Sequence, residues 1–255
     1  MHHKISVVIP CYNAEGTIRE SIDSVLKQSY PIFEIICVDD CSTDNSVNII
    51  KKEYGGVLLI ESVKNHGPAK SRNIGIDSAN GDFIAFLDSD DVWYPNKISI
   101  QMEYMIQNDL VCIGSPFTIN KISALNYNEY SFRLLSLHDL ARSNKLPTPS
   151  VIIKKMKMKM MFNESMRYAE DYDFWLRLAN FYPSRIGLIE QPLVSLSKPV
   201  FGVSGLSSHL WKMEKGELIA LNNNLGRYKI IFLVLSVAKF IRRLLLVYFI
   251  KNSKW

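Results

Sequence analysis

Short, uninterrupted apolar runs alternate with stretches of helical periodicity along the first hundred positions of the chain. Ile5 to Ile9 is a β-branched run closed by Pro10, and Ile18, Ile22, Val25 and Leu26 then recur at helical spacing between Gly16 and Gln28. Glu34 to Val38 predicts a second strand that ends on Asp39 and Asp40. A second helix is predicted to open at Cys41-Ser42-Thr43-Asp44, whose short oxygen-bearing side chains can cap orphan amides ahead of Val47, Ile49 and Ile50. Val57 to Ile60 reads as a third strand, Pro68 to Ala79 as a third helix, and Phe83 to Leu87 as a fourth strand running into acids.

Strands of four or five continuous apolar residues, alternating with helices, predict a parallel sheet covered on both faces. In such sheets ligands sit beyond the carboxyl ends of the strands. That rule places Pro10 to Asn13, Asp39-Asp40 and Asp88 to Asp91 on one rim. Beyond residue 100 the alternation stops: Ser115 to Lys145 is polar and loop-like, the Lys/Met alternation of residues 154 to 160 predicts an amphipathic helix, and Glu170 to Ala179 predicts a helix with Phe174, Trp175 and Leu178 on one face. No repeat or low-complexity linker divides the chain, so residues 1–211 form one expected globular unit.

The tail has a different pattern. Ile230 to Ala238 carries no charge, Lys239, Arg242 and Arg243 interrupt, and Leu244 to Ile250 is apolar again. Neither half approaches the roughly 20 residues that span a bilayer, and a continuous span would hold three cations near its middle. An in-plane interfacial helix, or a short helical pair, fits better; the competing expectation is a terminal helix docked on the core with its cations outward.

Charge sharpens this division. The 255 residues carry a formal net charge of +5, but from Lys212 onward nine Lys/Arg face two Asp/Glu, so a −2 body precedes a +7 tail. A basic, apolar tail suits a membrane surface, whereas an acidic body argues against nucleic acid as a partner. The four cysteines, Cys11, Cys37, Cys41 and Cys112, make no CxxC pair, which predicts reduced thiols and no structural zinc. Met1 to Lys4 runs directly into the first strand without an apolar signal segment, so a cytoplasmic protein is expected.

Three acidic clusters carry candidate chemistry. Asp88-Ser89-Asp90-Asp91 follows a buried strand; a plain turn explains it, and so does a hard-cation site for Mn2+ or Mg2+, which oxygen donors suit. Asp39-Asp40 is explained by helix capping or by a phosphoacceptor pair, although receiver domains are about half this length. Glu170-Asp171-Tyr172-Asp173 fits either a first helical turn favoured by the helix dipole or a general base held by neighbouring groups.

Taken in order, ISVVIPCYN (Ile5 to Asn13), ICVDDCSTD (Ile36 to Asp44), NHGPAKSRNIG (Asn65 to Gly75), GDFIAFLDSDD (Gly81 to Asp91) and EDYDFWLR (Glu170 to Arg177) resemble the successive motifs of family 2 glycosyltransferases with the GT-A fold. Phe201 to Ser207, followed by Trp211 to Glu217, resembles the bacterial subset that builds O-antigen and exopolysaccharide repeat units. The resemblance implies an α/β, GT-A Rossmann-like, mostly parallel sheet with helices on both faces. It also implies a nucleotide-sugar-binding half (1–100), an acceptor-binding half (101–211) and, beyond them, the basic amphipathic tail (212–255). Pro10, Tyr12 and Asn13 would pack on the uracil of a UDP-sugar, Asp39 would hydrogen-bond it, and Arg72 would lie near the nucleotide. Asp88 and Ser89 would meet the ribose side, and Asp90 with Asp88 would hold the metal. Asp171 would be the base, with Glu170 beside it.

One departure stands out: Leu196 to Phe201 has Lys198 where many relatives carry an Arg-x-His element. His66, His138 and His209 show no partner pattern and are expected to be surface or satisfied side chains. The expectation is an inverting, metal-dependent transferase, peripheral on the cytoplasmic face of a bacterial inner membrane through residues 229–255. It would move a hexose, best guessed as glucose from UDP-glucose with a β-linked product, to a polyprenyl-diphosphate-linked acceptor, best guessed as undecaprenyl-diphosphate-linked N-acetylhexosamine. The alternatives are a nucleotidyl or phosphoryl transferase on the same acidic rim, and a non-catalytic sugar-nucleotide-binding protein.

Overall fold

A computed structural model describes residues 3–119, 129–155, 160–197 and 209–252. Strands β1 (Ile5–Cys11), β2 (Glu34–Asp39), β3 (Val57–Glu61) and β4 (Phe83–Phe86) alternate with helices α1 (Ile18–Leu26), α2 (Ser46–Glu53) and α3 (Pro68–Ser78). There follow β5 (Val92–Trp93), α4 (Lys97–Gln107), β6 (Cys112–Gly114), β7 (Phe117–Thr118), β8 (Phe132–Leu134), α5 (Leu137–Arg142) and β9 (Ile152–Lys154). The order closes with α6 (Glu170–Phe181), β10 (Ile186–Ile189), β11 (Val194–Ser195), α7 (Leu210–Asn224) and α8 (Lys229–Asn252).

Eight strands form one sheet in the order β3-β2-β1-β4-β9-β6-β10-β8, and β5-β11-β7 form a small second one. The first four strands are parallel as their apolar runs require, while β9 enters antiparallel between β4 and β6. Side chains alternate across the sheet. Val8, Ile36 and Phe86 therefore meet α3 and α6 on one face, while Val7, Ile9 and Cys37 meet α1, α2 and α4 on the other. Helix α3 lies so close to β1 that a Cβ at Gly75 would collide with the Val8 side chain.

Three local expectations are corrected. Lys154, the first residue of the predicted amphipathic helix, instead ends a strand, Ile152 to Lys154, whose Ile152 and Ile153 are buried on opposite faces of the sheet; residues 156–159 of that predicted helix lie outside the described residues. The region from Ser115 to Lys145 is not all loop: among its described residues it supplies β7, β8 and α5, the last opened by a capping box between Ser136 and Asp139. The second helix begins at Ser46, not Cys41. Ser42 and Asp44 turn instead toward the loop after β1, accepting from the Asn13 and Glu15 amides at 2.9 Å each, and Asp44 also accepts from Ser46 N at 3.0 Å.

The tail is one continuous helix pair with the body. Helix α7 packs along α6 closely enough that a Cβ on Gly216 would strike the Tyr168 carbonyl. Helix α8 docks through Phe232, Ser236 and Phe240: Ser236 donates to buried Glu214 at 2.9 Å, and Phe240 stacks edgewise on Trp211 at 4.7 Å. The outward-cation expectation is reversed for two of the three basic residues, since Lys239 donates to the Arg142 carbonyl at 2.7 Å and Arg243 pairs with Glu217 at 2.8 Å. Ile230, Ile231, Val234, Leu235, Val237 and Ile241 remain exposed on the other side. No helix among the described residues is long and apolar enough to cross a membrane.

Candidate active site

The carboxyl ends of β1, β2 and β4 open into a cavity of about 1240 Å³, as the strand-end rule requires. Its first wall is the turn after β1. Pro10, Tyr12 and Asn13 line it, with Tyr12 51% exposed. Asn13 adopts φ 49°, a left-handed conformation that Asn tolerates, and its Oδ1 accepts from Thr43 N at 2.8 Å. The loops after β1 and β2 are thereby latched together.

Asp39 and Asp40 part company. Asp40 is a latch: its two oxygens accept from the amides of His66 and Gly67 at 2.8 and 2.7 Å, tying β2 to the start of α3. Asp39 is buried, its Oδ2 accepts from Ser42 N at 3.0 Å, and its Oδ1 has no hydrogen-bond partner among the described residues. A buried orphan acceptor costs about 1–3 kcal/mol unless a donor reaches it. Asp40, rather than Asp39, is among the residues that line the cavity wall.

The acidic loop after β4 is held from below by α1. Thr17 Oγ1 donates to the Ser89 carbonyl at 2.9 Å and Ser21 Oγ to the Asp91 carbonyl at 2.8 Å. From above, Ser197 donates to Asp90 through its hydroxyl at 3.1 Å and to Asp91 through its amide at 3.0 Å. Asp88, Ser89, Asp90 and Asp91 all face the cavity. Mg2+ and Mn2+ are typically held by one or two carboxylates, with waters and substrate phosphates completing the shell. Among the described residues no group of three His, Cys, Asp or Glu stands ready to chelate an ion alone. Asp88 and Asp90, two carboxylates on the cavity wall, are the kind of donor such a cation takes alongside phosphate oxygens. Lys198 lies outside the described residues, as does the segment Phe201 to Ser207.

Arg72 joins this loop to the third acidic cluster. The guanidinium is 5% exposed and donates to Asp88 at 2.8 Å and to Glu170 at 2.9 Å. Burial opposes its charge, but the two carboxylates outweigh that and raise its pKa. The Glu170 carboxyl is pushed up to about 7, chiefly by burial, with Arg72 pulling it back and Asp171 adding to the rise. Asp171 also titrates above its ordinary range, burial being the main cause, while Arg72 and a hydrogen bond from Asn144 oppose the shift.

Helix α6 opens at Ala169, which adopts φ 55° and swings the chain so that Glu170 turns inward to Arg72 while Asp171 faces the cavity. Asp171 Oδ2 accepts from Asn144 Nδ2 at 3.0 Å and Thr148 Oγ1 at 3.4 Å. Three acids do occupy that first turn, but Asp173 is turned away, paired with Arg177 at 2.8 Å. One carboxylate is thus held structurally, and the other is directed at solvent space with its acidity weakened, the arrangement a general base needs.

Sequence reasoning brought together Pro10, Tyr12, Asn13, Arg72, Asp88, Ser89, Asp90, Glu170 and Asp171, all of which line this one cavity. It missed Asn144 and Thr148, which sit in a polar loop with no motif of their own. It also missed Met213, Glu217 and Arg243, which reach the cavity from α7 and α8. His209 lines the cavity too, edge-on to Tyr168 at 6.3 Å.

Residues 6–167 match the family model described as glycosyl transferase family 2. The chain is 28% identical over 242 residues to the Escherichia coli UDP-Glc:alpha-D-GlcNAc-diphosphoundecaprenol beta-1,3-glucosyltransferase WfgD, a match covering 92% of this chain and 94% of the relative. Among solved structures it resembles Staphylococcus aureus TarS 1-349 in complex with UDP-GlcNAc, with TM-score 0.71, 23% identity and coverage of 94% and 72% of the two chains. It also resembles the Pyrobaculum calidifontis mannosyltransferase PcManGT in complex with GDP-Man and Mn2+, with TM-score 0.66, 15% identity and coverage of 100% and 82%.

Proposed function

The chain belongs to glycosyltransferase family 2, and from that premise we propose that it transfers a hexose from a UDP-sugar, with inversion, to a polyprenyl-diphosphate-linked sugar. The observation that carries the reading is the pairing of Asp171, open to the cavity with a raised pKa, with the Asp88–Asp90 loop, bridged through Arg72 and Glu170. The likeness to WfgD supports glucose as the donor sugar and an undecaprenyl-diphosphate-linked N-acetylhexosamine as the acceptor. Assembly of O-antigen or exopolysaccharide units is the corresponding setting.

In this reading the acceptor hydroxyl attacks C1 of the donor sugar. The new C1–O bond forms as the bond from C1 to the diphosphate oxygen breaks, the electron pair leaves with UDP, and the acceptor proton passes to Asp171. An α-linked donor gives a β-linked product. Asn144 and Thr148 hold the Asp171 carboxylate in place, while Glu170 is a positioning residue that acts through Arg72. A bound Mn2+ or Mg2+ on Asp88 and Asp90 supplies neutralisation of the departing diphosphate. Tyr12 and Pro10 offer the uracil an apolar edge, and Asp39, buried beside Asp40 of the cavity wall and with Oδ1 unpartnered among the described residues, is the acceptor proposed for a donor group of the base.

Membrane attachment belongs to the same proposal. Ile230, Val234, Val237 and Ile241 lie at i, i+4, i+7 and i+11 on the side of α8 opposite its docked face, flanked by exposed Arg227, Lys229 and Arg242. An apolar stripe edged by cations suits the surface of an anionic bilayer, and the cytoplasmic leaflet is the side where UDP-sugars are available.

A panel of UDP-sugars assayed against a synthetic lipid-diphosphate acceptor, with the product linkage read by NMR, tests the proposal. UDP-glucose giving a β-linked disaccharide supports it. Asp171→Asn should abolish transfer while leaving UDP titration nearly unchanged; near-normal turnover in that variant would sink the assignment. UDP-sugar binding without transfer to any acceptor would favour a non-catalytic binding protein instead.

A further inference from the structure

At about 1240 Å³ the cavity exceeds the roughly 300–1,000 Å³ of a usual single-ligand pocket. Its lining carries both signs of charge. Asp40, Asp88, Asp90 and Asp91 line it at the strand ends. Arg167, His209 and Arg243 line it as well, with Glu217 paired to Arg243.

Arg243 is not a surface cation that happens to lie nearby. Helix α8 turns it, with Lys239, onto the same face as buried Phe232, Ser236 and Phe240, and Arg243 Nη1 meets Glu217 Oε1 at 2.8 Å with both side chains largely covered. Tyr172, the residue after Asp171, feels this pair directly: burial raises its pKa first, Glu217 and Asp171 raise it further, and Arg243 opposes them. The Tyr172 hydroxyl spans to the carbonyls of Leu140 and Ala141 at 2.9 and 3.1 Å. The cation delivered by the tail therefore acts on Tyr172, the residue that follows Asp171, and lines the same cavity.

We infer that Arg243, held ready by Glu217, binds the diphosphate of the acceptor, so that the tail helix is part of the acceptor site as well as a surface element. The inference rests on the proposed lipid-diphosphate acceptor and adds where that diphosphate is recognised. Guanidinium forks match phosphate oxygens in bidentate geometry, which a single surface lysine does not. Arg167 and His209 line the same cavity.

Two acceptors distinguish the outcomes: an N-acetylhexosaminyl diphosphate carrying a short alkyl chain, and the same sugar as a simple alkyl glycoside. For the wild type, the diphosphate acceptor should have a KM at least tenfold below that of the glycoside. Arg243→Ala should raise the KM for the diphosphate acceptor about tenfold or more and leave the KM for the glycoside within twofold, with Arg243→Lys in between. UDP affinity reports whether the variant is folded. If it is not, Glu217→Gln decides, since releasing Arg243 from the carboxylate that holds it should weaken the diphosphate preference at least threefold, and an unchanged preference overturns the inference. An equal preference in wild type and Arg243→Ala, with transfer to the diphosphate acceptor intact, overturns this inference alone. Transfer to neither acceptor by the wild type overturns the acceptor reading, and this inference with it.

Discussion

Replacing Arg72 by methionine removes the guanidinium while keeping most of the side-chain length. Of its two partners, Asp88 has a side chain 30% exposed and can turn to water, whereas Glu170 is 9% exposed and cannot. Breaking a buried ion pair from one side costs about 3–5 kcal/mol, because the remaining charge stays buried. Here protonation limits the loss, and the limit depends on pH. Glu170 titrates near 7 in the folded protein against an ordinary value of 4.5, so the native state binds the extra proton and stability falls as pH rises between those values. Above 7 the wild-type Glu170 is ionised beside Arg72 and the decline stops. In Arg72→Met the folded pKa rises further, so the decline continues at up to about 1.4 kcal/mol per pH unit. Urea unfolding followed by circular dichroism should therefore show a gap that widens from pH 6 to pH 8 and reaches about 3 kcal/mol at the upper end. In a Glu170→Gln background, measured against Glu170→Gln alone, Arg72→Met should show a gap that no longer depends on this titration. A gap below about 1 kcal/mol at pH 8, or one equal at pH 6 and pH 8, would refute Arg72 as the charge that holds Glu170.

Four further outcomes follow from the same geometry. Asn144→Ala removes a donor that favours the ionised Asp171, so the acid limb of the kcat/KM profile should move to higher pH; an unmoved or lowered limb contradicts the base assignment. Asp90→Ala should abolish the Mn2+ dependence of UDP binding measured by titration calorimetry, and identical titrations with and without Mn2+ in wild type and variant would count against the metal site. Lys97 is fully buried over the Trp93 ring at 4.1 Å, its Nζ has no hydrogen-bond partner among the described residues, and burial pushes its pKa well down. Since the unfolded chain binds that proton more readily, stability rises with pH, and Lys97→Met should add about 2 kcal/mol at pH 7 and less at pH 9, as thermal melts can check. Serines at Ile230, Val234 and Ile241 should release the protein from anionic vesicles in flotation while leaving its melting temperature within a few degrees; equal flotation would remove α8 as the membrane contact.

The strands and the rim they carry were legible because their signals are local. A five-residue, β-branched run such as Ile5 to Ile9, closed by Pro10, favours a strand buried on both faces, and the residues after such a strand lie at the sheet's carboxyl edge. The Lys/Met pattern misled at Lys154, its first residue: the strand that residue ends sits between two others, a placement imposed by β4 and β6 and not by its own pattern. The roles of Asp39 and Asp40 were not separable in sequence, since adjacent residues at a strand end point to opposite sides and only the packing of α3 chose Asp40 for the Gly67 amide.

By itself the sequence determined the fold class and the acidic rim that carries Asp88 and Asp90, because strand ends encode position along the chain; Glu170 and Asp171 were joined to that rim only through the resemblance to the family's motifs. Only the tertiary structure decided what those groups do to one another. Arg72 meets Glu170 across 98 residues of chain, and that contact separates a carboxylate held by a cation from Asp171, which has none of Arg72's hydrogen bonds among the described residues and lines the cavity. The tail shows the same division: its charge and apolar content are plain in the sequence, but which face of α8 docks follows from Phe232, Ser236 and Phe240 meeting the body. That docking turns Arg243 into the cavity and leaves the apolar stripe outside, since one helix rotation sets both at once.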